Sequence, residues 1–174
     1  MRFSHLDEEG KARMVDVGDK PDTLREAVAI AQIKMKPGTL KAILDKKIPK
    51  GDVFSVARTA GILAAKRVDE LIPLSHPLPL HFAGIDFLVH SGRLHLRSRV
   101  KTFSKTGVEM EALTAVALAA LTVYDMCKSL EKEIRIGPIQ LIYKSGGKSG
   151  RFVKRKFQNF LESRFQGKGK SAWL

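Results

Sequence analysis

Hydrophobic positions alternate along "LREAVAIAQIKMK", residues 24–36. Ala27, Ala29, Ala31, Ile33 and Met35 fall on one side, and that period of two predicts a strand. Alanine and glutamate favour helix here, but the valine and isoleucine content and the Pro37-Gly38 stop favour strand. "TLKAILDKK" then reads as a short amphipathic helix with Thr39 as its N-cap, and "IPKGD" as a turn. From Asp52 to about Leu71 the period becomes helical: Val53, Val56, Ala57, Ala60, Leu63, Ala64, Val68 and Leu71 share a face. Asp52 is a good N-cap for that helix, and Pro73 ends it.

"IPLSHPLPL", residues 72–80, holds three prolines and one histidine. Proline fixes φ and donates no backbone hydrogen bond, so this is a rigid connection, neither helix interior nor central strand. "HFAGIDFLVH" and "RLHLRSRVKTF" are strands joined by a Ser91-Gly92 hairpin signal. "SKTG" is a turn, and an alanine-rich helix runs from Val108 to about Glu131. "IRIGPIQLIYK" is the last strand, with Pro138 marking an edge or a bend. The order strand, helix pair, strand, strand, helix, strand predicts an α+β fold. It is the split βαβ, ferredoxin-like arrangement, an antiparallel sheet with helices on one face.

The long helix is apolar on more than one side. Met110, Leu113, Val116, Ala117, Ala120, Leu121 and Tyr124 would cover the sheet, leaving Leu118, Ala119 and Val123 outside. A helix apolar all round is normally buried all round, so a second subunit is expected as the cover. No apolar run approaches the roughly 20 residues of a membrane span. The N-terminal "MRFSHLDEEGKARMVDV" has no apolar signal core, and the one cysteine, Cys127, gives no internal disulfide framework. These features lead to the expectation of a cytoplasmic protein without a membrane partner.

Composition is ordinary, 44% hydrophobic and 28% charged over 174 residues, enough for one domain with a real core. The charge is not ordinary: a formal net charge of +13 implies an anionic partner. Residues 151–174 carry seven lysines and arginines against Glu162, a net +6, so the first 150 residues are basic in their own right. The expected organisation is one main domain over 1–150 and a basic tail over 151–174. Phe152, Val153, Phe157, Phe160, Leu161 and Phe165 give that tail the spacing of a short amphipathic helix.

Candidate chemistry collects at a few places. The imidazole of His76, held by prolines, can change charge near neutral pH, although a packed loop histidine explains it too. Glu109 and Glu111 lie in the first turn of the long helix, where carboxylates also simply complement the helix dipole. Asp125 and Lys128 are three apart near its other end and share a face. They read either as a surface ion pair worth ~0.2–0.5 kcal/mol or as a proton-transfer pair. Glu111 and Asp125 lie 14 residues apart, roughly 21 Å along the helix. Either only one belongs to a site, or facing subunits contribute opposite ends.

"KSGGKSG" places Lys144 and Lys148 around glycines that would let a backbone approach phosphate. It is not a Walker loop, because the first glycine of that motif falls on Ile142. Lys50 is an isolated turn lysine. His5, His76, His81, His90 and His95 show no paired metal-ligand spacing. A Ser75-His76-Asp125 triad would need geometry that neighbouring serine and histidine rarely reach. A rival class is an RNA-binding sheet using Phe82, Phe87 and Phe103, though the glycine-aromatic ribonucleoprotein motif is absent.

"MVDV", "KGDVFSVARTAGILAAKR", "LIPLSHPL", "KTGVEMEALTAVALAALTVYDMCK" and "IGPIQLIYKSGGKSG" together resemble the molybdenum-cofactor biosynthesis protein C family, from about Ser4 to Gly150. The resemblance implies a ferredoxin-like fold and a hexamer built from dimers, with the active site at the dimer interface. It implies a lyase that converts 3′,8-cyclo-7,8-dihydroguanosine 5′-triphosphate into cyclic pyranopterin monophosphate with release of pyrophosphate. No cofactor of the protein's own is implied, nor a nucleic-acid partner. Asp125 in "YDMCK" takes the family's catalytic acid/base position, with Lys128 its partner. Leu74, Ser75 and His76, with Met110 and Glu111, occupy substrate-contact positions; Lys50, Lys144 and Asp16 match further site positions, and Glu109 neighbours them. The family often has cysteine where this chain has Ser75, which weakens a thiol role but leaves a backbone contact open.

Overall fold

The computed structural model describes residues 9–155. Nine elements follow in chain order: β1 (Thr23–Lys34), α1 (Pro37–Leu44), α2 (Val53–Ala65), α3 (Val68–Leu71), β2 (Phe82–His90), β3 (Arg93–Ser104), α4 (Glu109–Cys127), β4 (Arg135–Ser145) and β5 (Phe152–Val153). The strands form one open sheet in the order β2-β3-β1-β4-β5, with every pairing antiparallel. This is the expected α+β class.

β1 sits in the middle, which explains its composition. Ala27, Ala29, Ala31 and Ile33 face the helices and are buried, as the alternation requires. Val28 is buried on the opposite face against Ile142, with Ile30, Tyr143 and Val153 packed around them. Ser91 and Gly92 both have positive φ, as a two-residue hairpin turn demands. They set the continuous β2–β3 register from Phe82↔Lys101 to His90↔Arg93. Along β1–β4 the register shifts between Val28 and Ala29 and again between Ala31 and Ile33. The second shift passes over Gly137 and Pro138, so the predicted bend is a bulge that accommodates the missing proline donor.

Several expectations need correction. Thr39 is not the α1 cap. Pro37, whose φ is already helical, starts the helix two residues earlier, and the Thr39 hydroxyl instead donates to Glu131 Oε2 at 2.8 Å. The same oxygen accepts the Lys36 backbone N–H at 2.9 Å, so a carboxylate from beyond α4 closes the start of α1. The helix from Asp52 does not continue to Leu71. Asp52 caps it as expected, accepting from Ser55 N, but Lys66 and Arg67 donate to Leu63 and Ala64, a tightened last turn. α3 restarts with Val68 buried.

α4 also buries a different stripe from the one expected. Ala112, Ala115, Val116, Ala119, Ala120 and Val123 are buried, whereas Met110 and Leu121 are exposed. The reason is α2, which packs along α4 so that the sheet and α2 cover it together. Gly61 of α2 marks the close approach: a Cβ there would come within 2.8 Å of the Ala115 carbonyl. By length and composition α4 could cross a membrane, contrary to the expectation, but its apolar character serves this core. An outer apolar set remains in Val56, Leu63, Leu71 and Leu121, each 45–54% exposed.

Phe152 and Val153 pair with Lys144 and Tyr143 as β5, so they are strand where a helix was expected. A two-residue ladder on the free end of β4 satisfies their backbone at once. The rest of that expected helix, Phe157 to Phe165, lies outside the described residues.

Candidate active site

The first functional group forms where the proline segment meets the start of α4. The segment is tied to β3: Thr102 Oγ1 donates to the Pro79 carbonyl, His81 N to Lys101 O, and Phe103 N to His81 Nδ1. So anchored, it presents His76 to the N-terminal stretch. His76 Nε2 donates to the Val15 carbonyl at 2.7 Å. A carbonyl can only accept, so Nε2 carries a proton and Nδ1 is the nitrogen free to exchange one.

Around this pair lies a cleft of about 480 Å³ lined by Val15, Val17, Leu74, Ser75, His76, Leu78, Met110 and Glu111, with Lys20, Thr106, Gly107 and Glu109 at one side. Six of the residues picked out in the sequence are therefore gathered here: Leu74, Ser75, His76, Glu109, Met110 and Glu111. Asp16 stands between two lining residues; its Oδ1 accepts from Gly18 N at 2.8 Å and shapes that turn.

Glu111 is the unusual group. It is 4% exposed, and its Oε2 is buried without a hydrogen-bond partner. Loss of hydration raises its pKa from 4.5 to about 7, with Glu109 and Asp69 adding like-charge repulsion. A carboxyl half-protonated at neutral pH in a cleft is equipped to give and take protons.

A second hollow, of about 540 Å³, adjoins the first and shares Lys20, Thr106, Gly107 and Glu109 with it. Arg25, Lys105, Lys144, Lys148 and Ser149 complete its lining. Lys144 is thus brought next to the cleft. The glycines of "KSGGKSG" have a steric role: Gly146 and Gly147 have positive φ, and a Cβ on Gly147 would run into the Arg25 guanidinium. Gly107 likewise yields its side-chain space to the Glu109 carboxylate.

Asp125, Lys128 and Lys50 form a separate group at the far end of α4. Asp125 Oδ1 meets Lys128 Nζ at 2.6 Å, and Oδ2 meets Lys50 Nζ at 2.7 Å. Lys50 also donates to the Asp125 carbonyl at 2.9 Å. The hydrogen bonds from Lys128 and then Lys50 hold the Asp125 carboxyl down to about 2, and Asp125 in turn raises the Lys128 ammonium. The three are solvent-exposed, so what they offer is a poised anion between two cations rather than stability. Within one chain, a Ser75-His76-Asp125 triad is not formed, because α4 holds the two groups about 21 Å apart along its axis.

The sequence did not single out Val15, Lys20, Arg25, Lys105 or Thr106. A lysine in a polar turn carries no local signal, and Arg25 lies in a strand whose partners come from 79 and 80 residues away. The RNA-binding alternative loses its central aromatic. Phe87 is buried among the helices with its ring centroid 4.8 Å from that of Phe54. Only Phe82 and Phe103 of the three expected stacking rings are exposed.

The model of the MoaC family matches residues 14–147. A cyclic pyranopterin monophosphate synthase of Roseiflexus sp. (strain RS-1) is 56% identical over 153 residues, 87% of this chain and 97% of its own. The proteins of the same name from Pelotomaculum thermopropionicum and Geobacter sulfurreducens are each 52% identical, over 92% and 91% of this chain and 95% and 100% of theirs. The matched span holds the proline segment, both ends of α4 and the glycine loop as far as Gly147, and with identities this high over nearly the whole of each relative, the chain belongs to the MoaC family.

Proposed function

We propose that this chain is a cyclic pyranopterin monophosphate synthase, a lyase of molybdenum-cofactor biosynthesis. It would convert 3′,8-cyclo-7,8-dihydroguanosine 5′-triphosphate into cyclic pyranopterin monophosphate and pyrophosphate. The observation that carries this reading is the cleft that unites Leu74, Ser75 and His76 with Met110 and Glu111, in a chain more than half identical to synthases of that name.

The chemistry has two parts. Rearranging the ring requires several proton transfers, for which Glu111, near neutrality, and the Nδ1 of His76 are suited. Closing the cyclic phosphate requires a sugar hydroxyl to lose its proton and attack the α-phosphorus while the bond to the bridging oxygen breaks. Asp125 is ionised at neutral pH, so its part is that of base and electrostatic anchor. The neighbouring ammonium of Lys128 is the proton donor of that pair. Ser75 contributes through its backbone and hydroxyl rather than as a thiol.

The 21 Å between the two groups favours a site completed by a second protomer, whose Asp125 end would meet this cleft. The βαββαβ order and the sheet sequence β2-β3-β1-β4 support a ferredoxin-like protomer. The exposed Val56, Leu63, Leu71 and Leu121 support the dimer, and with it a hexamer.

Turnover of the cyclised guanosine triphosphate by wild type and Asp125→Asn tests the assignment, following pyrophosphate and the fluorescent oxidised pterin. Turnover in wild type and its loss in the folded variant are expected. A well-folded wild type without turnover would overturn the reading.

A further inference from the structure

Strand β3 turns an apolar face toward the helices. Leu94, Leu96 and Val100 on that face are fully buried, as a strand backing a core requires. Ser98 and Thr102 lie on the same face and are just as deep, each 0% exposed. A hydroxyl in such surroundings needs a hydrogen-bond partner, and each of these finds one outside the sheet. Ser98 Oγ lies 2.6 Å from the Ala112 carbonyl and 3.4 Å from that of Ala29, so its one proton goes to Ala112, in the first turn of α4. Thr102 Oγ1 gives its proton to the Pro79 carbonyl at 2.5 Å.

Both acceptors lie on elements that line the cleft of His76 and Glu111. Ala112 directly follows Glu111, and Pro79 stands three residues after His76, in a stretch that Pro77 and Pro79 stiffen. The strand between them is firmly held. β3 pairs with β1 from Thr23↔Ser104 to Lys34↔Arg93 and with β2 from Phe82↔Lys101 to His90↔Arg93, in both cases without a shift of register. Four residues of strand set the two hydroxyls about 13 Å apart. Stability is a poor reason for them, because a buried hydroxyl gains little by exchanging water for a carbonyl.

We propose that Ser98 and Thr102 are positioning residues, two hydroxyls on one strand that hold Glu111 and His76 at the separation needed for proton transfer to the substrate ring. The proposal rests on the synthase reading and deepens it. Neither side chain lines the cleft, so both act through the elements they tie. A displacement of about 1 Å in a reacting group can cost a hundredfold in rate, and these two bonds are where such a displacement would begin.

Thr102→Val keeps the shape of the side chain and removes the donor, whereas Thr102→Ser keeps the donor. In folded protein, Thr102→Val should lower kcat by about tenfold to a hundredfold with KM little changed, and Thr102→Ser should recover most of it. Amide hydrogen exchange over residues 72–80, read without substrate, should quicken in Thr102→Val and not in Thr102→Ser. Ser98→Ala frees the first turn of α4 instead. Water then reaches Glu111, with Glu109, Asp69, Lys20 and His76 still around it, and the kcat/KM inflection expected near pH 7 from Glu111 should move toward acid. Thr102→Val should leave that inflection in place. Wild-type kcat in folded Thr102→Val overturns the proposal, as does an equal loss in Thr102→Ser or an unmoved inflection in Ser98→Ala. Faster exchange over residues 72–80 in Thr102→Val, in a protein whose wild type performs no turnover, would keep the tie and refute the synthase reading instead.

Discussion

Replacing Glu111 by glutamine should make the protein more stable, and by an amount that depends on pH. Glu111 is 96% buried with one oxygen unpartnered, and its pKa rises from 4.5 to about 7. The folded state thus holds the proton more tightly than the unfolded chain does. The stability this gives is complete below pH 4.5 and is lost as pH rises through 7. A tenfold change in proton affinity is worth about 1.4 kcal/mol, so ionising Glu111 costs the fold about 3 kcal/mol by pH 8. Near-complete burial leaves little solvent to screen that cost. Glutamine keeps the shape and never ionises. For a chain of this size about 1 kcal/mol moves Tm by ~2–4 °C. The advantage of Glu111→Gln should therefore be about 6–12 °C greater at pH 8 than at pH 4.5. Thermal unfolding of both proteins at equal concentration across that range is the assay. A difference independent of pH would refute the reasoning, and so would a variant less stable at pH 8.

The same group should shape catalysis: an inflection near pH 7 in kcat/KM is expected in wild type and not in Glu111→Gln, whereas Asp125, held near 2, should contribute none above pH 4. Glu131→Ala leaves the Lys36 N–H and the Thr39 hydroxyl without their acceptor and should cost about 2–4 kcal/mol, measured by urea unfolding; Glu131→Gln, which keeps a carbonyl acceptor, should recover most of it. Gly61→Ala pushes a methyl against the Ala115 carbonyl and Ile85 and should cost about 1–3 kcal/mol; a neutral result would mean that α2 can move off α4. If the site is shared between protomers, mixing inactive His76→Ala and Asp125→Asn chains through unfolding and refolding should restore roughly one site in four of a two-fold dimer, and no recovery would show a site complete within one chain.

Much of the fold is legible because its signals are local. The β2–β3 hairpin announces itself through Ser91-Gly92, and α2 through Asp52. β1 is ambiguous by propensity, yet alternation decides it, because only a strand puts Ala27, Ala29, Ala31 and Ile33 on one buried face. What eludes the sequence depends on partners far along the chain. The buried stripe of α4 is set by α2 packing along it, with Gly61 against the Ala115 carbonyl, and the α1 start by Glu131. Two residues of β5 can be claimed by β4 although their spacing suits a helix. Within the site, the proline segment and the two ends of α4 stand out because rigid or charged residues interrupt apolar runs. Lys20 and Lys105 look like any turn lysines until the sheet brings them beside Lys144.

α4 carries Glu109, Met110 and Glu111 in its first turn and Asp125 and Lys128 at its end, and this makes its length a functional dimension. Each residue of an α-helix advances 1.5 Å and rotates by about 100°. One residue inserted between Glu111 and Asp125 would leave both ends intact yet turn them about 100° out of phase. Four inserted residues would nearly restore the phase but lengthen the helix by about 6 Å. Neither register can be recovered by changing side chains alone. The helix thus acts as a ruler, and the 14-residue count from Glu111 to Asp125 constrains this chain as tightly as the identity of either acid.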